Sequence, residues 1–177
     1  MNDWLIVGIG NIGEEYKNTR HNMGFIMLDF FANEYNINFV EKRYAYIAKL
    51  KDEENNIYLI KPTTYVNDSG LAVQYWKNWF KIKTQNILIL VDDINIPFCE
   101  IRFRKKGSSG GHNGLKSIEH HLGQEYARLR FGIGHEFAQG EQSNFVLKKF
   151  NNDEKKKVVN KKDEIIELIR LFIYKQF

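Results

Sequence analysis

The chain has 177 residues, 43% of them hydrophobic and 27% charged, with a formal net charge of +4, which suits one soluble domain able to bury a core and by itself specifies no partner. The lone Cys99 excludes an internal disulfide or a cysteine-rich metal site, and no apolar run approaches the ~20 residues of a membrane helix. Met1 leads into a strand-like segment rather than a signal peptide, so the expected compartment is the cytoplasm.

In chain order, DWLIVGIG is a short apolar run closing on glycines and predicts a buried strand. MGFIMLDFFANEYN, flanked by Asn22 and Asn36, predicts a helix packed on a sheet. YAYIAKL and NIYLIKP lie on either side of the polar KDEENN and predict a hairpin. NDSGLAVQYWKNWFKI is amphipathic with helical spacing, and NILILVDDINIP reads as a central strand ending in two carboxylates. EIRFRKK alternates like a half-exposed strand, GSSGGHNG is a loop, LKSIEHHLG a short helix and ARLRFGIG another strand. Residues 152–175 predict one closing amphipathic helix. Strands alternating with helices, with no repeat and no linker, point to an α/β sandwich around a mixed sheet, in one domain spanning 1–177 with its chemistry in loops at strand ends.

Two short motifs lead elsewhere. Gly8, Gly10 and Gly13 fit the G-x-G-x-x-G of a dinucleotide-binding turn, which needs a buried helix next and an acid ending a second strand about 20 residues on. EEYKNTRHN follows instead, with Tyr16 its one large apolar residue, and Asp29 sits inside a helical pattern. GSSGG matches G-x-S-x-G with Ser109 as a would-be nucleophile, but RFRKK is no apolar strand, and His120, His121 and His135 follow too soon.

A third pattern is spread over four loops: Asn11 and His21, Asn67, Asp92, and His112 with Asn113. A histidine beside a carboxylate suits activation of water, because the carboxylate fixes the tautomer and stabilises the imidazolium. Amide side chains donate to a developing oxyanion without adding a competing base. Singly, each residue has an ordinary reading as a turn former, a cap or a surface group.

Together, IVGIGNIGEEYKNTRHNMGF, KPTTYVNDSG, VDDINIP, GSSGGHNGLKSI and RLRFGIG resemble the successive signature blocks of bacterial peptidyl-tRNA hydrolase, in order and across residues 4–150. The resemblance implies a three-layer α/β/α sandwich with a twisted mixed sheet, a monomer without metal or cofactor. Its implied activity is hydrolysis of the ester joining a peptide to the tRNA 3′ end. His21 then matches the general base, Asp92 the carboxylate holding it, and Asn11 the residue that tells blocked from free aminoacyl ends. Tyr16, Tyr65, Asn67 and Asn113 match contacts to peptide and terminal adenosine, with His112 grouped among them; Arg104 and Arg130 match a clamp on the tRNA 5′ phosphate. Ile12, Val66, Asn95 and Cys99 stand where proline, methionine, an acid and glycine are usual. The rival readings are a non-catalytic RNA-binding homologue of the same fold and, more remotely, a serine esterase using Ser109.

Overall fold

The structure is a computed structural model and describes residues 1–174. Seven strands among the described residues form a single sheet: β1 (Asn2–Gly8), β2 (Val40–Lys42), β3 (Ala45–Lys51), β4 (Asn55–Pro62), β5 (Ile87–Asp93), β6 (Ile101–Arg104) and β7 (Ala127–Gly132). Their spatial order is β2-β3-β4-β1-β5-β7-β6. The β1–β4, β1–β5 and β5–β7 pairs are parallel, whereas β2–β3, β3–β4 and β6–β7 are antiparallel. β1 and β5 are apolar on both faces, as parallel strands must be when helices cover both sides.

The helices are α1 (Met23–Glu34), α2 (Ser69–Trp79), α3 (Asn113–Leu122), α4 (Gln142–Val146), α5 (Asn152–Val159) and α6 (Lys162–Ile173). Strand alternation sends Ile6, Leu88 and Leu90 to a core shared with Met27 and Phe31 of α1 and Ile165 and Ile169 of α6. Leu5, Val7 and Ile89 point the other way, to a core closed by Val73 and Trp76 of α2 and Leu115 and Ile118 of α3. The result is the expected three-layer α/β/α sandwich. A Cβ on Gly24 of α1 would lie 2.3 Å from the Leu90 carbonyl oxygen and 2.4 Å from the Ile9 nitrogen, so α1 rests directly on the backbones of the two central strands. No helix among the described residues is long and apolar enough to cross a membrane.

Three local features depart from the sequence expectations. The closing helix expected over 152–175 is two helices, α5 and α6, and residue 175 lies outside the described residues. Its apolar seam lapses between the buried Val158 and Ile165, where Val159 is exposed and the NKKDE that follows it carries nothing to bury. Asp163 and Glu164 instead favour a new helix start through the dipole. β2 and α4 have no counterpart among the expected elements: β2 is exposed at every position, and α4 is five residues long with none buried. Cys99 adopts a left-handed backbone, φ 67°, which costs a residue with a Cβ about 1–2 kcal/mol and accounts for the glycine usual there.

Candidate active site

Because β1, β4, β5 and β7 run parallel, Gly8, Pro62, Asp93 and Gly132 all end on one edge of the sheet. Ligands in open α/β sheets bind outside this edge. After β1 the chain makes a single 3₁₀ turn, Glu14–Tyr16, and not a helix, so the glycines serve no dinucleotide. A second 3₁₀ turn, Arg20–Asn22, presents His21 and runs into α1.

His21 Nδ1 lies 2.9 Å from Asp92 Oδ2 at the end of β5. A carboxylate can only accept, so Nδ1–H donates and Nε2 is left with its lone pair. Burial alone would make His21 less basic, but the charge of Asp92 and its hydrogen bond outweigh burial and raise the pKa above the ordinary 6.5. Burial likewise opposes the Asp92 charge, yet His21 and His112 together hold its pKa below the usual carboxylate range. His112 supplies the other half of that environment: its Nε2 lies 2.9 Å from Asp92 Oδ1. Its Nδ1 accepts from the backbone N–H groups of Gly114 and Leu115 at the head of α3. Both ring nitrogens therefore have protein partners, unlike those of a loop surface group or a free substrate contact.

His21, Asp92 and His112 offer ligand atoms within 4.8 Å of one another, a set that could hold a metal ion. The two N–H···O bonds to Asp92 account for the same spacing without one.

Asn11 is buried and fixed on three sides. Its Oδ1 accepts from the Val66 N–H at 2.9 Å, while Asn22 Oδ1 accepts its backbone N–H and Asn22 Nδ2 donates to its carbonyl, both at 2.8 Å. This leaves the Asn11 Nδ2 hydrogens without a protein acceptor among the described residues. Asn22, which holds Asn11 in place, is a support of this site that the sequence does not announce: it bonds backbone groups, and its neighbour His21 carries the chemical signal.

Asn11, Tyr16, His21, Tyr65, Asn67 and Asn113 line one hollow of about 330 Å³. Tyr16 and Tyr65 form one wall, edge to face at 6.3 Å. Tyr65 projects from a backbone at φ 61°, ψ 164°, a conformation costing about 1–3 kcal/mol. His21 and Asn113 also border a second hollow of about 380 Å³ with Asp92, His112, Arg130 and His135. A third, of about 320 Å³, continues from Arg130 to Arg102, Arg104 and Lys106. The ten expected residues thus lie along one path, although Arg104 and Arg130 are not opposite each other: Arg130 pairs in register with Arg102, and Arg104 with Arg128. Arg130 Nη1 is 3.2 Å from Asp93 Oδ2 and its Nη2 donates to the Ser108 carbonyl. Arg128 is wholly buried and donates to the carbonyls of Gly107, Ser108, Gln124 and Tyr126, which fixes the start of the glycine loop. Ser109 Oγ accepts only from the Gly111 N–H, at 3.4 Å, among the described residues, with no histidine engaged on it. A larger hollow of about 720 Å³ opens at the opposite edge, near Asn2, Lys83 and Glu125, and contains no histidine.

The model of the family described as peptidyl-tRNA hydrolase matches residues 5–177. A peptidyl-tRNA hydrolase of Cytophaga hutchinsonii is 51% identical over 156 residues, 88% of this chain and 83% of that one. One from Porphyromonas gingivalis is 46% identical over 170 residues, 96% of this chain and 92% of its own. The crystal structure of peptidyl-tRNA hydrolase from Acinetobacter baumannii superposes with a TM-score of 0.93 at 34% identity, covering 99% of this chain and 90% of that one.

Proposed function

The chain belongs to the peptidyl-tRNA hydrolase family, and from that premise we propose how its own residues cleave the ester between a peptide and the 3′ ribose of tRNA. The observation that carries the reading is the His21–Asp92 bond, which leaves Nε2 of His21 as a base facing the hollow. Nε2 takes a proton from water as the oxygen attacks the ester carbonyl carbon, and Asp92 stabilises the imidazolium that forms. The tetrahedral intermediate then expels the ribose 3′ oxygen, which takes the proton back from His21. The products are a free peptide carboxyl group and tRNA with its 3′ hydroxyl restored.

Asn11 suits discrimination between blocked and free ends. With Oδ1 committed to Val66, only its N–H groups face substrate. They donate to the acyl carbonyl of a blocked amino group but meet only another donor in a free ammonium. Tyr16 and Tyr65 pack against a sugar or base, Asn67 and Asn113 hold peptide amides, and Arg104 and Arg130 hold phosphate. The histidine and carboxylate need no metal for this chemistry, and the work of such an enzyme belongs in the cytoplasm with its tRNA, as a monomer.

Deacylation of N-blocked aminoacyl-tRNA tests the reading. The expected result is rapid release by the wild type, also with chelator present. His21→Ala loses at least about 10²-fold in rate, while Ser109→Ala stays close to wild type. Intact substrate with folded wild type leaves the non-catalytic RNA-binding reading in its place, and a divalent-ion requirement at the protein overturns the metal-free mechanism.

A further inference from the structure

Asp92 is almost fully enclosed, and its two oxygens face two different histidines: Oδ2 takes the hydrogen of His21 Nδ1, and Oδ1 lies 2.9 Å from His112 Nε2. The tautomer of His112 follows from its other nitrogen. Nδ1 accepts from Gly114 N–H at 3.0 Å and from Leu115 N–H at 3.4 Å, so the ring hydrogen is on Nε2, where it meets the carboxylate. The side chain is at once the N-cap of α3 and a hydrogen-bond donor to Asp92. It ends a loop whose Gly107, Gly110 and Gly111 all have positive φ.

We propose that His112 is a positioning residue that acts through Asp92: fixed as the Nε2–H tautomer by the head of α3, it aims the carboxylate at His21 and takes up part of its charge, and so sets how basic His21 is. The proposal rests on the reading of His21 as the base. A carboxylate shared between two donors stabilises an imidazolium less than one facing a single histidine. Removing the His112 donor therefore makes His21 more basic, and less of the enzyme carries the free base near neutral pH. His112 opposes part of the effect of Asp92, the group that raises the His21 pKa. The other charged or titratable groups facing the cluster are Asp93 with Arg130, His135, and the phenols of Tyr16 and Tyr65. Arg20, next to His21 in the chain, turns away to Glu154. All are unchanged in a His112 variant, so a shift reports His112.

Two substitutions separate the functions of the ring. Asparagine at this position keeps an N-cap acceptor but is too short to reach Asp92, whereas glutamine places an amide N–H near the former Nε2. NMR titration of His21 in the folded protein is the main readout, beside the pH profile of kcat/KM. His112→Asn is expected to raise the His21 midpoint, and the acid limb of the profile, by about half a unit or more, roughly threefold in proton concentration. His112→Gln is expected to return both close to wild type. An unmoved or lowered midpoint in His112→Asn overturns the proposal, as does a His112→Gln that behaves like His112→Asn. In the wild type, ring ¹⁵N shifts of His112 at pH 7.5 are expected to show hydrogen on Nε2; hydrogen on Nδ1 alone also overturns it. These NMR results stand apart from turnover. Full activity in His21→Ala would defeat the assignment of the base, while an unshifted His21 would defeat only the part given to His112.

Discussion

Burial alone would make Asp92 a neutral acid, because a carboxylate shut away from water loses its hydration. The two histidines reverse that, holding its pKa below the usual carboxylate range, and Asp92 in turn raises His21 above 6.5. The Asp92 contribution to stability is therefore present above the unfolded carboxylate value and is lost as pH falls through the lowered one. The His21 contribution is complete below 6.5 and is lost as pH rises through its raised value. With His21 as the proposed base, catalysis requires its neutral form, and kcat/KM of the wild type is expected to rise through a midpoint above 6.5 and then level. Asp92→Asn leaves burial as the main influence on His21 and is expected to move that midpoint below 6.5. Its kcat falls about 10²–10⁴-fold, measured across a pH series of single-turnover deacylation. The direction is opposite to that of His112→Asn, although both residues belong to the same cluster. His21 and Asp92 are legible in the sequence because their motif blocks are long. The bond from His112 to Asp92 is not, since a loop histidine before a helix reads equally as a cap, and here it is both.

At the scale of elements, the turn bearing His21 is fastened by its neighbour. Arg20 makes a two-pronged contact with Glu154 at 2.9 and 3.0 Å. It donates to the carbonyls of Lys148 and Lys149 and lies over the rings of Phe145 and Phe150. Asn18 and Thr19 extend the seam through backbone contacts to Phe150 and Lys149. Breaking a largely buried pair leaves one charge uncompensated. Arg20→Met is accordingly expected to lower stability by about 3 kcal/mol. In a chain of this length that is roughly 6–12 °C in Tm by calorimetry, with kcat falling alongside as His21 loses its support. The elements themselves are legible where burial enforces a period, as in β1, β5 and α1. They are not where nothing is buried, as in β2 and α4, or where the apolar seam lapses, as between Val158 and Ile165. Ser143 and Val146 of α4 line the hollows beside His21, a part of the site that QSNFV gives no reason to expect.

Across the whole molecule, the path beside His21 runs from an aromatic and amide end to a basic one, where Arg102, Arg104, Lys106 and Arg130 share a hollow. If that end holds phosphate, binding of the tRNA substrate weakens as salt rises. Removing one arginine that neutralises a phosphate should reduce the slope of log KM against log salt concentration by about 0.7–0.9. Arg104→Gln is expected to show that reduction. Lys83→Gln at the opposite edge is expected to keep the wild-type slope. The Arg20 seam also bears on the order in which the working molecule comes into being. His21 emerges from the ribosome well before the carboxylate that fastens its turn, because Glu154 lies 134 residues after Arg20. A growing chain has His21 and its acceptor Asp92 long before it has the strut behind them. The site therefore comes to full rigidity only once Glu154 has been added, well after the turn that carries His21 has been made.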